Sequence, residues 1–183
     1  MKVLLETERL ILRELRESDV EGMYLLDSDP EVHKYLGNQP IKNRAQALEN
    51  IRYVRDQYEA NGLGRLAVLD KATGDFIGWS GLKLEKEVHP DFDYYDLGYR
   101  FRREYWGKGI ATETAIASLE FGFNQHQFPE ICAGADVNNI ASNRILQKVG
   151  LQLGEPFTYL GVPHNWYKIN REEWLRKNDR ISE

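Results

Sequence analysis

Between Tyr99 and Glu113 the chain reads YRFRREYWGKGIATE, and two glycines one residue apart, Gly107 and Gly109, separate a strand-like run from a helix-like one. That order suits anion binding. The first turn of a helix exposes unpaired N–H groups and a partial positive charge. Glycines remove the Cβ atoms that would hold a ligand off, and they take φ > 0 without strain. The backbone of Gly107, Lys108, Gly109, Ile110, Ala111 and Thr112 would then converge on an anion such as a pyrophosphate, with Lys108, Arg102 and Arg103 adding positive charge. A plain glycine turn between strand and helix has the same spacing. Two other phosphate motifs do not fit. Gly109 stands where a Walker loop needs its Ser or Thr. Gly62 to Ala67 has the G-x-G-x-x-A spacing of a dinucleotide fingerprint, but it leaves a helix and enters a strand, the wrong order.

The elements that must position this turn follow from periodicity. Tyr94–Phe101 alternates, with Tyr95, Leu97, Tyr99 and Phe101 on one face and Tyr94, Asp96, Gly98 and Arg100 on the other. Ile110–Asn124 reads as a helix whose Ala111, Ala115, Ser118 and Gly122 form a small-residue stripe for close packing on a sheet. Upstream, Glu8–Leu15 reads as a first strand, and Ser18 and Asp19 as caps of a short helix toward Leu26. Pro30 opens a second helical piece, and Asn43–Glu59 is an amphipathic helix ending at Asn61-Gly62. Arg65–Asp70 and Phe76–Leu84 are strands, and Glu85–Phe92, with Pro90, is a charged loop. Beyond the central helix, Glu130–Asp136 is a fifth strand and Ala141–Val149 a short helix closed by Gly150. A hairpin turns at Gly161-Val162-Pro163, and a helical tail covers Glu172–Lys177. The class is α/β with a mixed sheet, and 183 residues suit one domain, 1–183.

Composition narrows the function. The formal charge is −5 and the pI about 5.5, against a general nucleic-acid binder. Cys132 is the only cysteine, which excludes an intrachain disulfide and any site needing several thiolates. His33, His89, His126 and His164 form no pair at ligand spacing, so no metal is expected. No run approaches the ~18 apolar residues of a membrane span, and the N-terminal apolar run is too short for a signal-peptide core. A cytoplasmic protein with no membrane partner is the expectation.

Trp106-Gly107-Lys108-Gly109-Ile110-Ala111 resembles the coenzyme A pyrophosphate loop of the GNAT N-acetyltransferases, Gln/Arg-x-x-Gly-x-Gly/Ala, with Trp106 in place of the usual Gln or Arg. Three further segments agree. Glu6–Arg13 is similar to the opening strand of the RimJ/RimL-like branch. Asn139-Ile140-Ala141-Ser142 with Lys148-Val149-Gly150-Leu151 resembles its Asn-x-x-Ser…Lys-x-Gly-Phe segment, and Tyr167–Trp174 resembles its last strand and tail. The resemblance implies a mostly antiparallel mixed sheet of six to seven strands with about four helices, splayed between the fourth and fifth strands, Tyr94–Phe101 and Glu130–Asp136. It implies acetyl-CoA as co-substrate and a monomer or homodimer acting on a small-molecule amine or a protein N-terminus.

On that scaffold the backbone of Tyr99, Arg100 and Phe101 would be unpaired and would take the pantetheine arm like an added strand; an ordinary paired strand is the alternative. Most of an acceptor amine, with a pKa of ~8 to ~10.4, is protonated at pH 7, so a base is useful. Asp96 is the first candidate for it; a surface carboxylate or a partner for Arg100 would look the same. Many relatives place a Tyr acid where Leu146 stands, and Ser142 is the nearest hydroxyl to replace it or to bond coenzyme A. Asn139 is expected to contact pantetheine, to cap the helix, or both. Glu113 reads as structural, a carboxylate at a helix start. His89–Asp96, HPDFDYYD, would draw a cationic amine, or is a solvated loop; Trp79, Trp166 and Tyr167 would line a cleft or pack the core. Two rival readings are a transferase of a longer acyl-CoA and a non-catalytic acyl-CoA-binding module.

Overall fold

The computed structural model describes residues 3–89 and 91–179, and Pro90 of the charged loop lies outside them. Among the described residues one sheet of nine strands organises the fold, in the order β1-β2-β3-β4-β5-β6-β9-β7, with β8 pairing to β9 beside β7. These are β1 (Val3–Glu6), β2 (Leu10–Glu14), β3 (Leu66–Asp70), β4 (Phe76–Glu85), β5 (Tyr94–Phe101), β6 (Glu130–Asp136), β7 (Gln152–Leu153), β8 (Phe157–Tyr159) and β9 (Val162–Asn170). Every pairing is antiparallel except β5 with β6. The sheet exceeds the expected six to seven strands for two reasons. The N-terminal residues fold back on the expected first strand, and the segment after Gly150 breaks into two short strands, both on β9. The last hairpin turns one residue earlier than expected, at Leu160-Gly161, where both residues have positive φ, and Pro163 lies inside β9.

The described residues form six α-helices: α1 (Val20–Asp27), α2 (Pro30–His33), α3 (Arg44–Asn61), α4 (Ile110–Glu120), α5 (Ile140–Lys148) and α6 (Arg171–Asp179). The punctuation read from sequence operates at several ends. Asn43 caps α3 by accepting from the Gln46 N–H, and Gly62 closes it in the left-handed conformation at φ 72°. Asp19 does not cap α1. Its carboxylate instead takes the Arg16 N–H and pairs with Arg13 at 2.7 Å, a buried link from β2 to the start of α1.

The small-residue stripe of α4 does what its spacing predicts. Ala115 and Ser118 are fully buried, and a Cβ on Gly122 would meet Leu82 of β4 at 2.6 Å and Ile131 of β6 at 2.7 Å. Any larger residue there would have to displace those buried side chains. A single π turn, Phe121–Gln125, then ends the helix. The core has two sides. Leu97, Leu82, Ile131 and Tyr167 pack with Leu119 and Phe123 on the α4 side, and Leu15, Met23, Leu26, Ile51 and Ala67 pack on the side of α1 and α3. No helix among the described residues is long and apolar enough to cross a membrane.

A candidate active site in the β5–β6 cleft

Parallel strands need a crossover, and here α4 supplies it, leaving β5 and rejoining the sheet at β6. The two strands touch at one register position, Asp96 with Cys132, and then diverge. Past Asp96 the free edge of β5 faces a cleft of about 700 Å³. Its other wall is built from small residues of β6, Gly134 and Ala135, and from the first turns of α5. Alternation along a strand sends the amides of successive residues to opposite edges, and β4 pairs with β5 along its whole length. So the expectation that Tyr99, Arg100 and Phe101 all present unpaired backbone is corrected: successive residues alternate between the β4 edge and the cleft edge. Moreover, the Phe101 carbonyl accepts from the Trp106 indole Nε1 at 2.7 Å. Trp106 thus fastens the end of the strand.

The cleft runs into the start of α4. Gly107 and Gly109 have φ of 72° and 77°, and no side chain caps the first turn, so its N–H groups are the helix's own unpaired donors. Gly107, Gly109, Ile110, Ala111 and Thr112 line the cleft together with Trp106. Lys108 does not. Its carbonyl accepts from Arg9 at 3.0 Å, and its ammonium lies 5.3 Å from the Tyr105 ring. Arg102 and Arg103 are also committed, to Glu104 at 2.5 Å and Asp29 at 3.3 Å, so the extra charge at this turn is smaller than the sequence suggests. Glu113 is structural, as read. It holds Arg9 at 2.5 and 2.8 Å and accepts from Thr7, and although burial pushes its carboxyl up, those partners bring it below the usual range. The Thr7–Arg9 turn, just ahead of β2, therefore braces the glycine turn from behind, a contact no local pattern announces.

Asp96 and Ser142 both line the cleft. Asp96 does not pair with Arg100. Arg65 grips its carboxylate and its carbonyl, and Arg65 also reaches the Gly81 carbonyl. Gly98 makes room for this, since a Cβ there would stand 2.5 Å from the guanidinium. Burial drives the Asp96 carboxyl above the usual range, and Arg65 and Lys83 pull it back only in part. Arg100 turns instead to Asp27 of α1, at 2.6 Å. Trp79 does line the cleft, and its ring lies against both guanidiniums, 5.0 Å from Arg100 and 5.6 Å from Arg65.

On the opposite wall, the Ser142 hydroxyl lies 3.1 Å from the Tyr99 hydroxyl. Burial pushes the Tyr99 phenol up to about 12, with Ser142 opposing. Sequence reasoning valued Tyr99 for its backbone and missed this hydroxyl. Leu146 sits beside it, almost fully buried. Asn139 caps α5 by accepting from the Ser142 N–H at 3.2 Å, and it also lines the cleft. Ala141 and Ile145, four residues apart on α5, line the cleft too, while Asn143 and Leu146 are the buried positions. Asn143, unremarked in the sequence, accepts from Tyr167 at 2.8 Å and Asn165 at 2.7 Å, tying α5 to β9. Tyr167 is core. The His89–Asp96 stretch sends its aromatics elsewhere: His89 stacks on Phe92 at 3.8 Å and joins Trp166 around a separate, smaller hollow. Cys132 is buried, and burial pushes its thiol up to about 12, an inert sulfur.

Residues 9–152 match the acetyltransferase (GNAT) domain family. The chain is 32% identical to the Bacillus subtilis protein YkkB over 154 residues, 82% of this chain and 86% of YkkB. It is 30% identical to the B. subtilis N-acetyltransferase YoaA, over 81% of this chain and 82% of YoaA. Among solved structures, the ribosomal L7/L12 α-N-protein acetyltransferase RimL in complex with coenzyme A superposes with a TM-score of 0.78 at 16% identity. It covers 94% of this chain and 99% of RimL. The Vibrio cholerae spermidine N-acetyltransferase with coenzyme A and spermine gives 0.74 at 19% identity, over 92% and 99% of the two chains. At such identities the likeness is one of fold. With a parallel β5–β6 pair parted around a cleft and a double-glycine turn at its end, the chain belongs to the GNAT acetyltransferase family.

Proposed function

We propose that the chain transfers an acetyl group from acetyl-CoA to a primary amine by direct attack. The observation that carries this reading is the run of the open β5 edge into the uncapped first turn of α4, whose two glycines leave its amides accessible. In this reading Gly107, Gly109, Ile110, Ala111 and Thr112 hold the diphosphate. The edge of β5 around Tyr99–Phe101, with Asn139 and Ser142 opposite, holds the pantetheine and aims its thioester at the floor of the cleft. Asp96, held up in pKa by burial, takes a proton from the acceptor's ammonium, directly or through water, and frees the amine that attacks.

The leaving thiolate has a pKa of ~8.5 and departs without a full proton transfer. A phenol near 12 is the weaker acid, so Tyr99 stabilises the departing sulfur by a hydrogen bond, with Ser142 orienting the phenol. Tyr99→Phe is therefore expected to lower kcat about tenfold rather than abolish it, with acetyl-CoA affinity nearly unchanged, as read by thiol release and calorimetry.

Leu146 favours a second reading, a non-catalytic acyl-CoA-binding module, because it removes the family's usual acid. One experiment separates the two. Calorimetry with acetyl-CoA is run beside a thiol-release screen over peptides, amino acids, polyamines and alkyl amines. Tight binding with turnover on at least one amine class supports the transferase, and tight binding with no thiol released supports the module.

A further inference from the structure

The face of β5 turned away from α4 carries a chain of groups that the acetyl-transfer reading leaves unexplained. Asp96 is held by Arg65, Arg65 and Arg100 both lie against Trp79, and Arg100 is held by Asp27. The two arginines differ. Arg65 is nearly buried and gives its donors to Asp96 and to two backbone carbonyls. Arg100 has five N–H donors, and among the described residues only Asp27 receives from it, through Nη1. Its Nε is buried without a partner, yet the side chain is 20% exposed and lines the cleft. Asp27 cannot satisfy it alone, since its carboxylate also faces His33 at 3.6 Å and accepts from Asn50 at 3.2 Å. A guanidinium with spare donors on a cleft wall, backed by an indole, is a seat for an oxygen acceptor. Arg100 lies four residues beyond Asp96 on the same strand face, and the Trp79 ring lies against both Arg100 and the arginine that holds Asp96.

We infer that Arg100 is a specificity-determining residue that binds a carboxylate or carbonyl oxygen of the acceptor, and that the acceptor is an amine carrying such an oxygen, as the smallest peptides do, rather than a polyamine. The inference rests on the reading of the cleft as an acetyl-transfer site. Its ammonium end lies toward Asp96, its chain crosses Trp79, and its oxygen takes the Arg100 fork. The test compares kcat/KM, by thiol release, for alanyl-alanine, alanyl-alaninamide, hexylamine and spermidine. The wild-type enzyme is expected to prefer both dipeptides. A carboxylate as the recognised oxygen puts the acid ahead of the amide; a carbonyl makes them equal. In Arg100→Gln combined with Asp27→Asn, which keeps a neutral hydrogen-bonded pair in place of the ion pair, the dipeptide-to-hexylamine ratio is expected to fall about ten- to hundredfold. Arg100→Lys, which keeps a charge against Asp27 but loses the fork, should lie between. Comparing the same ratio between wild type and variant cancels both a general loss of activity and the lower pKa of an α-amine. An unchanged ratio in both variants, or a wild-type enzyme that uses spermidine as well as the dipeptides, overturns the inference alone. Absence of thiol release from every amine overturns the transferase reading and this inference with it.

Discussion

Replacing Gly109 by aspartate is expected to weaken acetyl-CoA binding about a thousandfold, below what calorimetry resolves, while the fold persists. Gly109 sits at φ 77° directly ahead of α4, and among the described residues the one atom within 4 Å of a Cβ built there is an Arg9 guanidinium nitrogen at 3.6 Å. Space is therefore not the obstacle to folding. Backbone strain at a left-handed position costs an L-residue about 1–2 kcal/mol. The larger effect is electrostatic. A carboxylate about 4 Å from a diphosphate opposes it by roughly 4 kcal/mol at a near-surface dielectric, close to three powers of ten in affinity. Gly109→Ala adds the Cβ without the charge and should cost about tenfold, so the pair of variants separates strain from repulsion. Wild-type affinity in Gly109→Asp would mean that the diphosphate does not sit at this turn.

Asp96→Asn is expected to reduce turnover at least a hundredfold while acetyl-CoA affinity changes little, because an amide accepts no proton. The same change leaves Arg65 without its counter-charge in a nearly buried site, a loss of about 3–5 kcal/mol in comparable pairs, so the melting temperature should drop as well. Arg65→Gln with Asp96→Asn removes both charges and recovers much of that stability; turnover should stay low. The pH profile supplies an independent reading. Burial raises the Asp96 carboxyl, so the base becomes protonated, and kcat falls, at a pH above the ~3.9 of an ordinary aspartate. That acid limb should vanish in the variant. Wild-type turnover in either variant, or an acid limb that survives the substitution, would exclude Asp96 as the base.

Much of the scaffold was readable because its signals are local. The bounds of β5 and β6 match the expected strands, since alternation and flanking turns act over a few residues. The glycine turn and the start of α4 were equally plain: positive φ at Gly107 and Gly109 is a property of those residues and their neighbours. Where expectation and structure part, the cause is a partner from elsewhere in the sheet. β1 escaped notice because four residues carry little periodicity until β2 pairs with them. Apolar spacing along a helix does not say whether its face meets protein or an open cleft, and Ala141 and Ile145 of α5 line the cleft.

The amino-acid order by itself therefore carried the class of the fold, the double-glycine turn and the family resemblance, because each rests on patterns local to its own segment. The tertiary structure decided the electrostatics. Asp96 belongs to Arg65, 31 residues away; Tyr99 meets Ser142, 43 residues away; Arg100 belongs to Asp27, 73 residues away. Charges and hydroxyls choose partners across the sheet by distance and burial, and neither quantity exists along a chain until strands from distant segments have been laid side by side.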